Sequence, residues 1–387
     1  MLRKSRLYFS TILAALVLVS LLLTANVKAC EEEPQTFLSL YMNSDLIVIA
    51  KYESESEPKK IDESEYGYSL ESQRKLVFTK VFKGPQGLKS ISFAYSQYVS
   101  NPNQDTSEAV EDIDEAENYF ELSKIKIGGE YLFFLTRDKE TGEYSVTDHM
   151  SGVKEIDKNL SLYEKNLSEL EQITSAKENQ YALLTEWIVK TVENKESRED
   201  GISDLAESFY GLTYQDEDEA FKGKGPFVVT EDGYGIYTVG VAKRLTPSQK
   251  ERVSGVLYPM LQDAWFAEKP EYANYGISTI LGGVDKSRLA LFTYSAMQSV
   301  DKKDVERRRV IGEFLTSAVG DEAFSNLYYE ISELETKIDE AKGVNTPQGR
   351  KQLKELTLLK EAKVKELDRQ FKVLFGSNTV AVKNKAS

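Results

Sequence analysis

The chain holds one histidine, His149, and one cysteine, Cys30, and these two counts bound its chemistry. A zinc centre built from several histidines or cysteines is excluded, and a Ser-His-Asp or Cys-His couple has to use His149. That residue lies in Thr147-Asp148-His149-Met150 with no nucleophile motif beside it, so it reads as a loop histidine rather than a catalytic base. Acidic residues number 63, which leaves a carboxylate-based hydrolase as an alternative, although the spacing singles out no pair. Asp216-Glu217-Asp218-Glu219 lacks the third ligand position and central glycine of a calcium loop, because Ala220 and Phe221 stand there. Asp112-Ile113-Asp114 comes no closer, and both read as solvated charge. Gly223-Lys224-Gly225-Pro226 is not a phosphate loop, since no Ser or Thr follows the lysine and Pro226 replaces the helix start. The residues therefore specify no catalytic set, no metal and no cofactor. They point to a non-enzymatic protein that acts by binding.

Cys30 draws its meaning from what precedes it. Arg3, Lys4 and Arg6 form a basic start, Phe9 to Leu23 an apolar core, and Thr24 to Ala29 a polar stretch ending in a small residue. That is signal-peptide anatomy, and cleavage after Ala29 leaves Cys30 as the new N-terminus. Two alternatives keep the chain on a membrane. Leu7 to Ala25 approaches the length of an uncleaved anchor, and Val27-Lys28-Ala29-Cys30 partly matches a lipoprotein box in which Cys30 is acylated. The expected location is secreted or periplasmic, with a membrane-anchored lipoprotein as the alternative. Loss of residues 1 to 29 removes four cations and no acid, taking the net charge from −14 to −18. Such a chain repels nucleic acid and anionic membrane surfaces, so membrane contact requires acylation of Cys30 or retention of the N-terminal segment. A single cysteine allows no internal disulfide, and stability must come from packing.

The elements that position these residues fall into two grammars. From Asp45 to Thr147, short apolar runs alternate with polar, glycine-bearing turns, which predicts strands at Leu46–Tyr52, Lys75–Phe82, Ser90–Tyr95, Glu130–Thr136 and Glu143–Thr147. Five strands suggest a small barrel. The connections Glu53–Gly67 and Gln97–Glu117 are long and acidic and read as solvated insertions or binding loops. Beyond Lys154 the spacing is helical: Tyr181, Leu184, Trp187, Ile188 and Thr191 share a face, and the Trp187 and Trp265 neighbourhoods read as helical core. Thr246, Pro247 and Gln249 form a capping-box start. Further helices are expected at Ser287–Ser299, Lys303–Ala318 and Asp321–Lys342, with breaks at Gly282-Gly283 and Gly320-Asp321. Leu327, Ile331, Leu334, Ile338 and Ala341 form a heptad-like seam, and Leu353, Leu356, Val364, Leu367, Phe371 and Leu374 a looser one. With Gly343 to Gly349 breaking between them, they predict a coiled-coil-like antiparallel hairpin, or alternatively a partner-binding or dimerising arm.

The order of features in the first third resembles the netrin-like, or tissue-inhibitor-of-metalloproteinase-like, family in its bacterial secreted type. The resemblance is carried by Cys30 after the cleavage site and by the short helical segment Phe37 to Tyr41 that runs into Asp45-Leu46-Ile47-Val48-Ile49-Ala50-Lys51. Leu76-Val77-Phe78-Thr79-Lys80-Val81-Phe82-Lys83-Gly84 and Gly128-Gly129-Glu130-Tyr131-Leu132-Phe133-Phe134-Leu135 complete it. The resemblance implies a five-stranded OB-like β-barrel. It also implies that the α-amino group and carbonyl of Cys30 chelate the catalytic zinc of a protease, with Glu31 as the residue that follows into the specificity pocket. An α-amino group has a pKa near 8 and yields its proton at modest cost.

The expected organisation is α+β and multidomain. It comprises a signal peptide over residues 1–29, the OB-like barrel over 30–155, an α-helical domain over 156–322, the helical hairpin over 323–376 and a disordered tail over 377–387. The expected activity is non-enzymatic binding of a protein or cell-envelope component, with metalloprotease inhibition through Cys30 and Glu31 as the alternative.

Overall fold

The structure, a computed structural model, is described for residues 35–61, 67–100, 124–148, 150–210, 226–229, 235–236, 240–267, 275–301, 303–344 and 346–376. It is α+β: an N-terminal antiparallel sheet of seven strands is followed by a helical region. A short helix α1 (Phe37–Asn43) precedes β1 (Leu46–Glu55), β2 (Lys59–Ile61), β3 (Gly67–Lys83), β4 (Ser90–Ser100), β5 (Glu130–Arg137), β6 (Tyr144–Val146) and β7 (Val153–Glu155). The pairing runs β2-β3-β1-β5-β6, with β4 added to β3 and β7 to β5.

β1 is central, and its sequence says why. Leu46-Ile47-Val48-Ile49-Ala50 is apolar without alternation and buried throughout, as a strand covered on both faces must be. Ile47 and Ile49 stand opposite Phe134 and Leu132 of β5, and these four face the helical region, packing with Phe37, Leu38 and Leu40 of α1. Leu46, Val48, Ala50 and Tyr52 point the other way and form a second core with Leu76, Phe93 and Phe133 on the concave side of the sheet.

The expected closed five-stranded barrel is corrected here to an open, seven-stranded curl. β3, 17 residues long, pairs with β1 through its second half and with β4 through its first. Register shifts at Ile47/Val48, Ile49/Ala50 and Tyr52/Ser54 bend and twist it. β4 comes to lie beside β6, yet no hydrogen-bonded ladder joins them. The reason is local: the far edge is split into β6 and β7, three residues each, on successive stretches of β5. Two fragments separated by a turn present no continuous edge for β4. The expected acidic connection after Glu53 is in part strand, since β1 runs on to Glu55 and β2 pairs with β3.

The helical region comprises α2 (Leu160–Ser175), α3 (Gln180–Glu193), α4 (Arg198–Tyr210), a two-stranded ribbon β8 (Val228–Val229) and β9 (Gly235–Ile236), α5 (Val241–Arg244), α6 (Pro247–Trp265), α7 (Tyr275–Ser299), α8 (Val305–Val319), α9 (Glu322–Lys342) and α10 (Pro347–Phe375). α6 starts at the capping box: Gln249 N–H donates to Thr246 Oγ1 at 3.3 Å, and Thr246 N–H to Gln249 Oε1 at 2.9 Å. Trp265 is fully buried, its ring 5.5 Å from that of Phe314, and Trp187 is buried in α3. Gly282-Gly283 does not break a helix as expected. α7 runs through it because Phe209 of α4 presses against Gly283, where a Cβ would meet the ring at 2.2 Å. The kink falls instead at Asp285 (φ −157°, ψ 89°), whose Oδ1 accepts from Arg288 N–H and caps the second half. α9 and α10 pack as an antiparallel hairpin, and Phe371 of α10 stacks on Tyr294 of α7 with ring centroids 3.9 Å apart.

Candidate functional site

Two side-chain clusters stand out, one at each face of the sheet. On the concave face the alternation of β3 continues outward from the core as Leu76, Arg74, Ser72, Leu70 and Tyr68. Cross-strand pairing puts Tyr95 opposite Ser72 and Lys60 opposite Leu70, so the apolar core grades into a polar, aromatic strip. Arg74 is buried in it, with only 6% of its side chain exposed. Its guanidinium carbon lies 3.6 Å from the centroid of the Tyr95 ring and 5.5 Å from that of Tyr52, and Nε donates to Glu55 Oε1 at 3.2 Å. Tyr52 and Ser72 also donate their hydroxyls to Glu55. Burial pushes the Glu55 carboxyl up, but hydrogen bonds from Ser72, Tyr52 and Arg74, with the guanidinium charge, outweigh it and hold the group below its ordinary range. Burial and the bond to Glu55 push the Tyr52 phenol up. Further out, Lys60 Nζ sits 4.3 Å over the Tyr68 ring. Tyr68, Leu70 and Tyr95 are half-buried.

The second cluster lies where α1, β7 and α4 meet. Asp204 of α4 is 1% exposed. Thr36, the residue that caps α1, donates its hydroxyl to Asp204 Oδ1 at 2.6 Å, while Oδ2 has no partner among the described residues. Burial drives this carboxyl well above its ordinary range, against the Thr36 bond and with help from Glu207 and Asp200. Burial also raises Asp200, opposed by Lys154 of β7 and by a backbone bond from Phe37. The same burial lowers the Lys154 ammonium, opposed by Asp200 and Asp148. Asp148 ties down the start of the described chain: its Oδ2 accepts from Gln35 N–H and Ser151 N–H, each at 3.1 Å. Ser151 returns its hydroxyl to Gln35 O at 3.1 Å.

Comparison with protein-family models, curated proteins and solved structures gives no match. The assignment of roles therefore rests on these two clusters and on the sequence.

The residues singled out from sequence, Cys30, Glu31 and His149, lie outside the described residues, as do Asp112, Asp114, Asp216, Asp218 and the run from Gly223 to Gly225. Gln35, five positions after Cys30, is the nearest described residue on that side, and it is fixed at the turn that carries Asp148 and Ser151. Among the described residues no group of three or more His, Cys, Asp or Glu side chains is placed to hold a metal. None of their helices is long and apolar enough to cross a membrane.

The strands expected from sequence begin at Lys75 and end at Tyr52, which leaves Arg74, Ser72 and Glu55 outside them, whereas β3 begins at Gly67 and β1 runs to Glu55. The signal was present: Tyr68, Leu70, Ser72, Arg74 and Leu76 keep strict period two. Asp204 is one of 63 acidic residues. Its position inside Ile202, Leu205, Ala206 and Phe209, all buried, is the mark that distinguishes it from solvated charge.

Proposed function

We propose that the chain is an exported, non-enzymatic binding protein that engages a protein or cell-envelope component through the aromatic, cationic strip of its concave face. The basic start and apolar core of residues 1 to 23 support export. The observation that carries the binding reading is the strip itself: Lys60, Tyr68, Leu70 and Tyr95 on paired strands, with the aromatic side chains half-buried over the buried Arg74. Tyrosine is among the residue types enriched at the few positions that dominate binding energy in protein interfaces. The pairing order β4-β3-β1-β5-β6, with β4 lying beside β6, supports an OB-like curl of the netrin type, a design that uses its strand face for ligands. The test is a photoreactive residue at Tyr68 and, separately, at Lys158, which is exposed in the turn before α2. In the native host the Tyr68 position forms a discrete adduct that Tyr95→Ala weakens and the Lys158 position does not form. Equal labelling from both positions, or none from Tyr68, refutes the reading.

A second reading, zinc chelation through the amino terminus of Cys30 and Glu31, is favoured by one observation. Gln35 is fixed to Asp148 and Ser151 by hydrogen bonds, which anchors the chain five positions downstream without a disulfide. Inhibition of a zinc protease by the processed protein, abolished by one added N-terminal alanine, supports it. Unchanged activity of the protease with either form excludes it.

A further inference from the structure

The hairpin divides charge unevenly. α9 carries six acids against two lysines, and α10 eight cations against four acids, on a chain of net charge −14. Within one copy this polarity joins the two helices: Lys360 Nζ lies 2.6 Å from Glu335 Oε1, and Lys363 bonds Glu330. The seam they flank buries Leu334, Ile338, Leu367 and Phe371.

At 100° per residue each helix carries a second charged stripe, turned away from that seam. On α10, Arg350, Lys354, Leu358, Lys365 and Lys372 share one face, all exposed, with Glu361 the one exposed acid among them; Asp368, in line with Arg350, is half-buried and accepts from the Tyr294 hydroxyl. The row runs for about 33 Å at 1.5 Å per residue. None of its four cations makes an ion pair among the described residues, and Leu358 in its middle is 57% exposed. On α9, Glu322, Tyr329, Glu333 and Glu340 share the outer face, also exposed. Among the described residues Glu333 forms an ion pair only with Lys337 one turn on, at 3.5 Å, and Tyr329 is 52% exposed. Each stripe thus sets one large, uncovered ring or branched side chain among charges predominantly of one sign, acidic on α9 and basic on α10. Leu358, Lys365 and Lys372 recur every seven residues, as do Glu322 with Tyr329 and Glu333 with Glu340. That is the spacing a second helix follows at the shallow crossing angle of coiled coils.

We propose that the outer stripe of α10 in one copy of the chain packs against the outer stripe of α9 in another. The contact repeats between copies the acid-to-base pairing that α9 and α10 already make within one, and it covers Leu358 and Tyr329. Because the two stripes lie on different helices and face away from the common seam, the contact is heterologous and adds copies head to tail. Exposed ion pairs contribute little individually, so the association is weak and sensitive to salt.

Sedimentation velocity of the processed protein over a concentration series tests this. The average mass rises with concentration at roughly 50 mM salt and falls back toward the monomer at roughly 500 mM. Lys354→Glu/Lys365→Glu/Lys372→Glu on α10, or Glu322→Lys/Glu333→Lys/Glu340→Lys on α9, each lowers the association constant by at least about tenfold. An equimolar mixture of the two reversed proteins recovers it, since acid again meets base at both contacts. Leu358→Ser with Tyr329→Ser weakens association with the charges intact, which keeps the test independent of any folding defect in the reversed variants. A wild type that stays monomeric, reversed variants that associate undiminished, or a mixture that fails to recover each overturns the proposal. Binding of the monomeric wild type to anionic vesicles, lost on reversal of α10, overturns it in favour of a lipid surface.

Discussion

Asp204→Asn tests whether the junction between sheet and helices holds an un-ionised acid. The amide keeps an oxygen to accept from Thr36, as Asp204 Oδ1 does at 2.6 Å, and removes the titration. Because the folded-state pKa of Asp204 is raised well above its ordinary value, the folded chain binds a proton that the unfolded chain has lost. That imbalance opens near pH 3.9, the ordinary value for aspartate, and lasts until the buried acid ionises. Across that window the stability contributed by Asp204 falls as pH rises, with a limiting slope for one proton of about 1.4 kcal/mol per pH unit. Glu55 behaves oppositely, as do Glu186 and Glu193 of α3, whose carboxylates accept from the Arg252 guanidinium of α6 and, against burial, are held below the ordinary range by those bonds and that charge: their contribution is present above the unfolded value and lost as pH falls. They are common to both proteins and cancel in the difference. Urea unfolding of wild type and variant from pH 3 to 8 should therefore give a difference that is flat below about pH 4 and then moves steadily in favour of the variant. Parallel curves over the whole range would mean that Asp204 ionises as it does in water, and the picture of a neutral acid locking Thr36 would be wrong.

Three further expectations concern packing. Arg74→Ala removes a buried guanidinium from between two tyrosine rings and leaves Glu55, 28% exposed, without its cation. The expected loss is roughly 3 kcal/mol in urea unfolding, larger than that of Glu55→Gln; a loss below that of Glu55→Gln counts against the stacked arrangement. Gly312→Ala places a Cβ where the Tyr328 hydroxyl lies 1.9 Å away and should cost about 1–3 kcal/mol. Gly255→Ala, with nothing within 4 Å, should stabilise by about 0.5–1 kcal/mol. Thermal melts of the pair distinguish a packing constraint from a general intolerance of α-helical glycines to replacement.

Much of the architecture could be read from pattern. The apolar run from Leu46 marks a strand, which the structure buries on both faces, and Thr246-Pro247-Ser248-Gln249 marks the start of α6, where the bonds of a capping box are found. What stayed hidden has physical causes. Closure of a barrel depends on whether the last strand is continuous; β6 is legible at Glu143–Thr147, but the three-residue pairing of β7 that splits the edge leaves little trace in sequence. Gly282-Gly283 reads locally as a break, but Phe209, more than seventy positions earlier, needs the missing side chain to approach. Arg74 and Asp204 are hard to single out for a shared reason: apart from the pattern of their neighbours, a charge buried by distant segments looks, in one dimension, like a charge in solvent.

The two-sided burial of β1 has a bearing on modularity. Ile47 and Ile49 belong to one core and Leu46, Val48 and Ala50 to the other, so a single ten-residue strand is shared property. A fragment cut at residue 155 would keep its concave core yet present Ile47, Ile49, Leu132 and Phe134 as an oily sheet to water. Whatever lineage the sheet descends from, in this chain it has given up its independence, and transplanting it elsewhere would require a substitute for the helices that now serve as its roof.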